Sequence, residues 1–351
     1  MDKKKKNILI ALAATGGLSG AVIASHVAIY DKAFSRYERP DYANTPGMVC
    51  LNRFSNSKAN IEPISFMSDD VLLKGNYFFV EKPKGIVLMA HGIHSGGDDY
   101  LNIVSCFIDH DYNVFSFNYK GTYDSQGDST VGLCESIVDV DHAIDYIQSN
   151  ENYNKLPLFL FGHSWGGYAV SSVLAIKNNI NACACVSAMN SGYTMMVEKA
   201  AQYVGGFSKT AKPFFDVYQK MLFKDYVKYT GVMGINASNI PVVVAHGIDD
   251  SVIVFDKQSV ISHHEEFTNP NVKYYIGKGY QGDHNDIMLS NEAILYKKEI
   301  QSELKLLEMK KKGKLTNQEL VEFYSKIDHA LYSKVNEDLM KLIIDTFDST
   351  L

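Results

Sequence analysis

Short apolar runs of strand length alternate with helix-like segments along most of the chain, and this alternation constrains the fold more than any other feature. After an opening hairpin at residues 61–81, turned at 68–70, the apolar runs lie at 86–90, 114–117, 158–161, 182–189, 242–245 and 272–276. Helix-like segments lie near 98–109, 132–149, 165–178, 253–266 and 288–308. Continuous apolar runs are typical of strands buried on both faces. The pattern predicts an α/β domain with a doubly wound, mostly parallel sheet.

Charge and cysteine content exclude several classes of partner and site. The formal net charge of -6 gives no overall attraction to polyanions, and no basic patch is large enough for nucleic acid. The five cysteines are an odd number and lack C-x-x-C spacing, which favours buried free thiols over a disulfide framework or a zinc site. We therefore expect no nucleic-acid partner and no metal. The sequence makes no prediction of the oligomeric state.

The N-terminal segment, residues 1–30, has the pattern of a membrane anchor. Residues 7–30 carry no charge and follow four consecutive lysines. As a helix this run would extend about 36 Å, which exceeds the roughly 30 Å hydrocarbon core of a bilayer. We expect a single-pass anchor at the cell membrane, with a cleaved signal peptide and secretion, or a buried soluble helix, as the alternatives. The lysine run favours an extracytoplasmic catalytic domain, although Lys32, Arg36 and Arg39 weaken that bias.

Two further segments interrupt the alternation. Residues 191–239 separate two predicted strands and are rich in Tyr, Phe and Met at helical spacing, which predicts a helical cap inserted over the sheet. Beyond residue 301, Thr316 and Glu319 have capping-box spacing, which predicts a C-terminal helical extension over 301–351. Residues 31–60 are then a linker, and 61–190 with 240–300 form the α/β core.

A glycine-flanked serine follows the predicted strand at 158–161. The sequence Gly162-His163-Ser164-Trp165-Gly166 leads into a helical pattern, so the G-x-S-x-G motif stands in a strand–turn–helix context. Small flanking residues permit a sharp turn that exposes the serine hydroxyl, and the helix N-terminus favours a developing anion. The motif predicts Ser164 as a nucleophile, whereas the alternative is a glycine-rich turn with an incidental serine.

A nucleophilic serine needs a base and a group that orients the base. Such side chains are expected on loops at the carboxyl ends of the last strands. Asp249 and Asp250 follow the predicted strand at 242–245, and His284 follows the one at 272–276 in a polar loop. The order of serine, acid and histidine suits a catalytic triad with His284 as the base.

Together these motifs resemble the α/β-hydrolase superfamily, and in particular its branch of lysophospholipases, monoacylglycerol lipases and serine aminopeptidase-like proteins, over about residues 61–300. The resemblance implies the α/β-hydrolase fold without a cofactor. In such proteins the acid lies in H-G-x-x-D, which maps to Asp250 on motif spacing, with Asp249 as the competing acid. The base precedes the last helix, which maps to His284.

The same resemblance assigns an oxyanion hole. It implies that the backbone amides of Ile93, after His91-Gly92, and of Trp165, after the nucleophile, stabilise the developing oxyanion. We expect His91 to support this turn by hydrogen bonds. His94 either contacts substrate or lies in a plain surface loop.

The resulting hypothesis is a serine hydrolase that cleaves a small-molecule carboxylic ester through an acyl-enzyme on Ser164. Flexible and aromatic cap side chains could line an acyl pocket, which favours an amphiphilic or acyl-lipid-like ester, or they could simply pack the cap on the sheet. These residues are Tyr193, Met195, Met196, Phe207, Phe214, Phe215, Met221, Leu222 and Phe223. The competing hypotheses are a serine aminopeptidase-like peptidase, which needs a pocket carboxylate for a free amine, and a non-catalytic binding protein of the same fold.

Overall fold

A computed structural model describes residues 30–204 and 216–351. Its eight strands are β1 (Asn60–Ser68), β2 (Val71–Phe79), β3 (Ile86–Ala90), β4 (Asn113–Asn118), β5 (Leu158–His163), β6 (Ala182–Val186), β7 (Val242–Gly247) and β8 (Val272–Gly277). They form one sheet in the order β1-β2-β4-β3-β5-β6-β7-β8. The pairs β1–β2 and β2–β4 are antiparallel, and every pair from β4 to β8 is parallel. The predicted mostly parallel sheet is confirmed.

Helices cover both faces of this sheet. They are α1 (Leu101–Asp109), α2 (Glu135–Ser149), α3 (Trp165–Val173), α4 (Gly192–Val204), α5 (Gly231–Ser238), α6 (Asn291–Lys311), α7 (Asn317–Tyr324), α8 (His329–Tyr332) and α9 (Glu337–Asp348), and residues 216–223 are also helical. Side chains of α2, α3 and α5 share one apolar cluster, and side chains of α1 and α9 share another. Alternate β5 residues divide between the clusters, with Leu160 in the first and Phe161 in the second. The sheet is therefore doubly wound.

The predicted N-terminal anchor lies almost entirely outside the described residues, whereas the C-terminal helix α9 packs on the core. The predicted anchor at residues 7–30 lies outside the described residues except for Tyr30, and none of the described helices combines the length and apolar character that a membrane span requires. At the other end, Phe347 of α9 stacks on Phe107 and Phe159 in the core. The last helix of the segment predicted as an extension therefore belongs to one face of the sheet.

The prediction of a helix near 253–266 is wrong. Only Ile261–Glu266 is helical there, as a 3-10 helix, and turns precede it. The Asp250 carboxylate accepts hydrogen bonds from the amides of Val252 and Ile253, both at 2.8 Å. An α-helix over these residues would need the Lys257 amide to donate to the Ile253 carbonyl. That carbonyl lies 2.9 Å from His246 Nε2, and the Lys257 amide donates to the carbonyl of Val254 instead.

Candidate active site

Ser164 lies in a strained turn between β5 and α3. Its φ of 57° and ψ of -116° are unusual for a residue other than glycine. A Cβ atom on Gly162 would overlap the carbonyl oxygen of Gly166, and one on Gly166 would overlap the carbonyl oxygen of Ala90. The two motif glycines are therefore required by close backbone approach, and they let the chain turn sharply enough to present the Ser164 hydroxyl.

The structure brings the three predicted triad side chains into hydrogen-bonding contact. Ser164 Oγ lies 2.9 Å from His284 Nε2, and His284 Nδ1 lies 2.7 Å from Asp250 Oδ2. The residues come from the loops after β5, β8 and β7, and all three are buried. In this arrangement the base reaches the hydroxyl with one ring nitrogen and the acid with the other.

The structure also distinguishes between the two candidate acids. Asp250 Oδ2 lies 3.0 Å from His246 Nε2 in addition to its contact with His284. Burial raises the pKa of the Asp250 carboxyl, but hydrogen bonds from His246, His284 and the Ile253 amide, with the charge of His284, hold it well below the usual range. Asp249 is exposed, and its amide donates to the carbonyl of Gly282. Asp250 is the carboxylate that faces the imidazole.

The two predicted oxyanion amides lie on the segments that flank the nucleophile. Trp165 is the first residue of α3, where a helix leaves amides without intrahelical partners. The loop of Ile93 packs against the turn, because a Cβ atom on Gly92 would lie 3.4 Å from Ser164 Cβ. Within the described residues, neither amide donates to a backbone carbonyl. Their role in binding an oxyanion stays a prediction that this placement permits.

His91 supports the oxyanion loop. Its Nε2 accepts a hydrogen bond of 3.1 Å from the Tyr119 amide, so its Nδ1 is the atom that donates to the Gly92 carbonyl at 2.8 Å. Burial lowers the pKa of His91 to about 4, which keeps the ring neutral. His94 is exposed, and its ring lies 5.5 Å from that of Tyr37.

Comparisons with known proteins agree with this fold. A model of the family described as "Serine aminopeptidase, S33" matches residues 81–233. The lysophosphatidylserine lipase ABHD12 of Xenopus tropicalis is 26% identical over 48% of this chain and 44% of its own length. An esterase structure from Pyrococcus furiosus covers 72% of this chain and 90% of that chain, with a TM-score of 0.50 and 16% identity. The chain belongs to the α/β-hydrolase superfamily.

A longer match within the same comparisons is to a protein without an assigned activity. The uncharacterized protein YfhR of Salmonella typhimurium is 25% identical over 252 residues, which are 70% of this chain and 81% of the relative. The superfamily and the esterase-, lipase- and peptidase-like character of the hydrolase therefore follow from these similarities, and its substrate does not.

A hydrogen-bonded series that the sequence did not reveal supports the base. The carbonyl of His284 accepts from His163 Nε2 at 3.1 Å and from Ser187 Oγ at 3.0 Å. Because His163 Nε2 donates, its Nδ1 accepts from the Tyr100 hydroxyl at 2.8 Å, and that hydroxyl accepts from the Gly92 amide at 2.9 Å. Burial and the charge of His284 lower the pKa of His163 to about 3. These hydrogen bonds connect the oxyanion loop, at Gly92, to the backbone carbonyl of His284.

A cavity of about 480 Å³ opens beside Ser164. Its apolar lining includes Pro46, Val49, Ile93, Val252, Met288, Leu289 and Tyr332, and its polar lining includes His94, Asp99, Asn102, Asn285, Lys297 and Ser333. No residue of 191–204 or 216–239, the described parts of the predicted cap, lines it. The walls that the described residues form therefore come from residues 46–49, from residues 284–333 and from the loops after β3, β5 and β7.

The described cap side chains considered for an acyl pocket do not line this cavity. Met195, Leu222 and Phe223 are buried in the main apolar core, and Met221 is exposed. Phe207, Phe214 and Phe215 lie outside the described residues. The buried cap side chains thus pack the cap on the sheet, which was the alternative interpretation of this segment.

Proposed function

We propose that this protein is a serine hydrolase that cleaves carboxylic esters through an acyl-enzyme on Ser164. The observation that carries the proposal is the series of contacts from Ser164 Oγ to His284 at 2.9 Å and from His284 to Asp250 at 2.7 Å. With Asp250 accepting from Nδ1, the neutral imidazole presents the lone pair of Nε2 to the serine hydroxyl. This is the tautomer that a general base requires.

The reaction follows from these positions. Ser164 Oγ forms a bond to the acyl carbon while its proton moves to His284 Nε2, and Asp250 stabilises the imidazolium. The amides of Ile93 and Trp165 stabilise the oxyanion of the tetrahedral intermediate. The ester C–O bond then breaks, and His284 protonates the departing alcohol. Water repeats the two steps on the acyl-enzyme, which releases the carboxylic acid and restores Ser164.

The proposed substrates are amphiphilic or acyl-lipid-like esters. Support comes from the cavity, where the apolar side chains of Val49, Met288 and Leu289 share the wall with polar groups such as Asn102 and Asn285. A mixed lining suits a molecule with an apolar chain and a polar portion. The names of the relatives, a lysophosphatidylserine lipase and an esterase, agree with this class of substrate.

The competing activity, cleavage of peptides with a free amino terminus, needs a carboxylate that is available to an amine. Among the described residues that line the cavity, Asp99 is the only acidic one. Its Oδ2 already accepts hydrogen bonds from the Gly96 amide at 2.8 Å and the Tyr123 hydroxyl at 2.7 Å. Because burial also raises the pKa of this carboxyl, Asp99 is better suited to holding its own loop than to binding an amine, which favours the ester.

Hydrolysis of p-nitrophenyl butyrate by the purified protein tests the proposal. The wild type should release p-nitrophenol, and Ser164→Ala should lower kcat by on the order of 10⁶-fold while retaining cooperative thermal unfolding. Equal activity in both proteins would remove Ser164 from the reaction. Absence of Ser164-dependent hydrolysis for every ester and peptide amide tried would favour the non-catalytic binding protein.

We also propose that residues 1–30 hold the enzyme at the cell membrane as a single-pass anchor with an extracytoplasmic catalytic domain. The charge-free run that follows four lysines supports this placement. Full-length protein should stay with membranes during alkaline carbonate washing, and external protease should digest it in intact cells. Deletion of residues 1–29, which keeps the buried Tyr30, should give soluble, active enzyme. Unprocessed full-length protein in the soluble fraction would contradict the anchor.

A further inference from the structure

Residues 35–53, within the segment predicted as a linker, are fastened across the catalytic face of the domain. We call them the N-terminal strap. Tyr37 forms a β-bridge with Thr122, and the Arg36 guanidinium donates hydrogen bonds of 2.9 Å to the carbonyls of Ser125 and Gly127. The strap therefore begins by pairing with the loop that follows β4.

Arg39 fastens the strap to the oxyanion loop. Its guanidinium pairs with Asp98 and Asp124 and lies 4.7 Å from the centroid of the Tyr123 ring. Asp98 is buried and lies in the same loop as Ile93. A partly buried arginine with two carboxylates and an aromatic ring is a stronger contact than an exposed ion pair.

Arg53 fixes the shape of the strap. Its guanidinium donates to three backbone carbonyls of the strap, those of Tyr42 at 2.6 Å, Thr45 at 2.5 Å and Gly47 at 3.0 Å. These bonds close residues 42–47 into a compact loop. Because one side chain donates to three carbonyls, a change in the shape of this loop would break several charge-assisted hydrogen bonds at once.

The far side of the strap docks on the C-terminal segment. The Gly47 amide donates to His329 Nδ1 at 3.2 Å, and the Met48 amide donates to Ser333 Oγ at 2.8 Å. Gly47 has a φ of +91°, and a Cβ atom there would lie 3.0 Å from Ser333 Oγ. The backbone of residues 47 and 48 is thus held from both sides.

This held backbone forms a wall of the cavity beside Ser164. Pro46, Gly47 and Val49 of the strap line the cavity together with Tyr332 and Ser333 of the segment on which it docks. Val49 is half-buried, and the bonded amides of residues 47 and 48 restrain the backbone that carries it. A larger side chain at this position takes its volume directly from the cavity.

We propose that the N-terminal strap is the specificity-determining wall of the active site and that Val49 sets the size of the ester group that the enzyme accepts. This inference rests on the proposed ester hydrolase function. It places substrate selection on the strap and on residues 332–333, and it places the chemistry on the loops after β5, β7 and β8.

The test compares Val49→Phe with the matched control Leu51→Phe. Leu51 lies on the same strap, is 37% exposed and does not line the cavity. Acyl size is varied with p-nitrophenyl acetate and octanoate, and alcohol size with methyl and octyl acetate, because the cavity receives one side of the ester. In either the acyl series or the alcohol series, Val49→Phe should lower the ratio of kcat/KM for the long ester to kcat/KM for the short ester by at least about tenfold. Leu51→Phe should leave both ratios within about twofold.

The outcomes separate this inference from the function on which it rests. If both ratios stay within about twofold in Val49→Phe while hydrolysis remains Ser164-dependent, the strap does not select the substrate. If the wild type shows no Ser164-dependent hydrolysis, the function itself fails. Should Val49→Phe lose cooperative thermal unfolding, Val49→Leu replaces it, with a smaller shift in the same direction expected and an unchanged ratio as the contradicting result.

Discussion

The catalytic loops and the N-terminal strap meet at one cavity, but different interactions hold them. Ser164, Asp250 and His284 each follow a strand of the parallel part of the sheet, so backbone pairing fixes where their loops begin. The strap has only two isolated bridges to the loop after β4, at Ser35 and Tyr37. Its position on the cavity depends on the guanidinium groups of Arg39 and Arg53. Rate and selectivity should therefore respond to different substitutions.

The largest difference in kcat should come from substitutions of the two neighbouring acids in the loop after β7, Asp249 and Asp250. Asp250→Asn should lower kcat for p-nitrophenyl butyrate by on the order of 10⁴-fold, because an amide no longer holds His284 in the required tautomer. Asp249→Asn is the matched control, since Asp249 is exposed and does not contact the imidazole. Both variants should leave the long-to-short ester ratio unchanged. A larger loss in Asp249→Asn would transfer the role of the acid to Asp249.

The second prediction concerns acid sensitivity of the catalytic framework. The pKa of His163 is lowered to about 3 in the folded protein, below the unfolded value near 6.5, so the unfolded chain binds more protons between these pH values. Stability is therefore lost as the pH falls through this window. At pH 5, which is 1.5 pH units below the unfolded pKa of about 6.5, protonation of His163 in the unfolded chain lowers the free energy of unfolding by about 2 kcal/mol at most.

Urea unfolding at pH 7 and pH 5 measures this loss. The wild type should lose more free energy of unfolding between the two pH values than His163→Gln, which has no ring to protonate. Since His91 is also held neutral, with a pKa of about 4, the variant should retain part of the dependence. An identical pH dependence in both proteins would show that His163 is not protonated preferentially in the unfolded chain.

The smallest effect should come from loosening the strap. Arg53→Gln removes the guanidinium that donates to three carbonyls of the strap. We expect the ratio of kcat/KM for long and short esters to change by about threefold, corresponding to less than 1 kcal/mol. The rate with p-nitrophenyl acetate should change little. Lys58→Gln is the control, because Lys58 forms exposed contacts with Asp111 and the Asp109 carbonyl and does not line the cavity. Equal changes in both variants would mean that Arg53 does not hold the cavity wall.

The two regions also differed in how far the sequence could predict them. Gly162, Ser164 and Gly166 carry a local signal, because the motif that marks the turn falls within one pentapeptide. Asp250 and His284 could be placed because parallel strands bring the loops at their carboxyl ends together. The assignment of Asp250 over Asp249 rested on spacing alone, and in the structure Asp250 Oδ2 lies 2.7 Å from His284 Nδ1.

The strap had no comparable local signal. The amides of Gly47 and Met48 donate hydrogen bonds to His329 and Ser333, which lie 282 and 285 residues further along the chain. No periodicity in residues 35–53 predicts these partners. The contact between Tyr100 and His163 also spans 63 residues and depends on side-chain geometry. The prediction of a helix near 253–266 failed for a related reason, because apolar spacing does not reveal that the Ile253 carbonyl contacts His246 Nε2 at 2.9 Å while the Lys257 amide donates to the Val254 carbonyl.

Peptide mapping after reaction with a fluorophosphonate probe tests the central claim most directly. The probe phosphonylates an activated serine with loss of fluoride, so the full-length protein should gain one adduct, on the peptide that contains Ser164. Ser164→Ala should gain none, and Asp250→Asn should react far more slowly than Asp249→Asn. An adduct on a different residue, or equal labelling of the wild type and Ser164→Ala, would contradict the account.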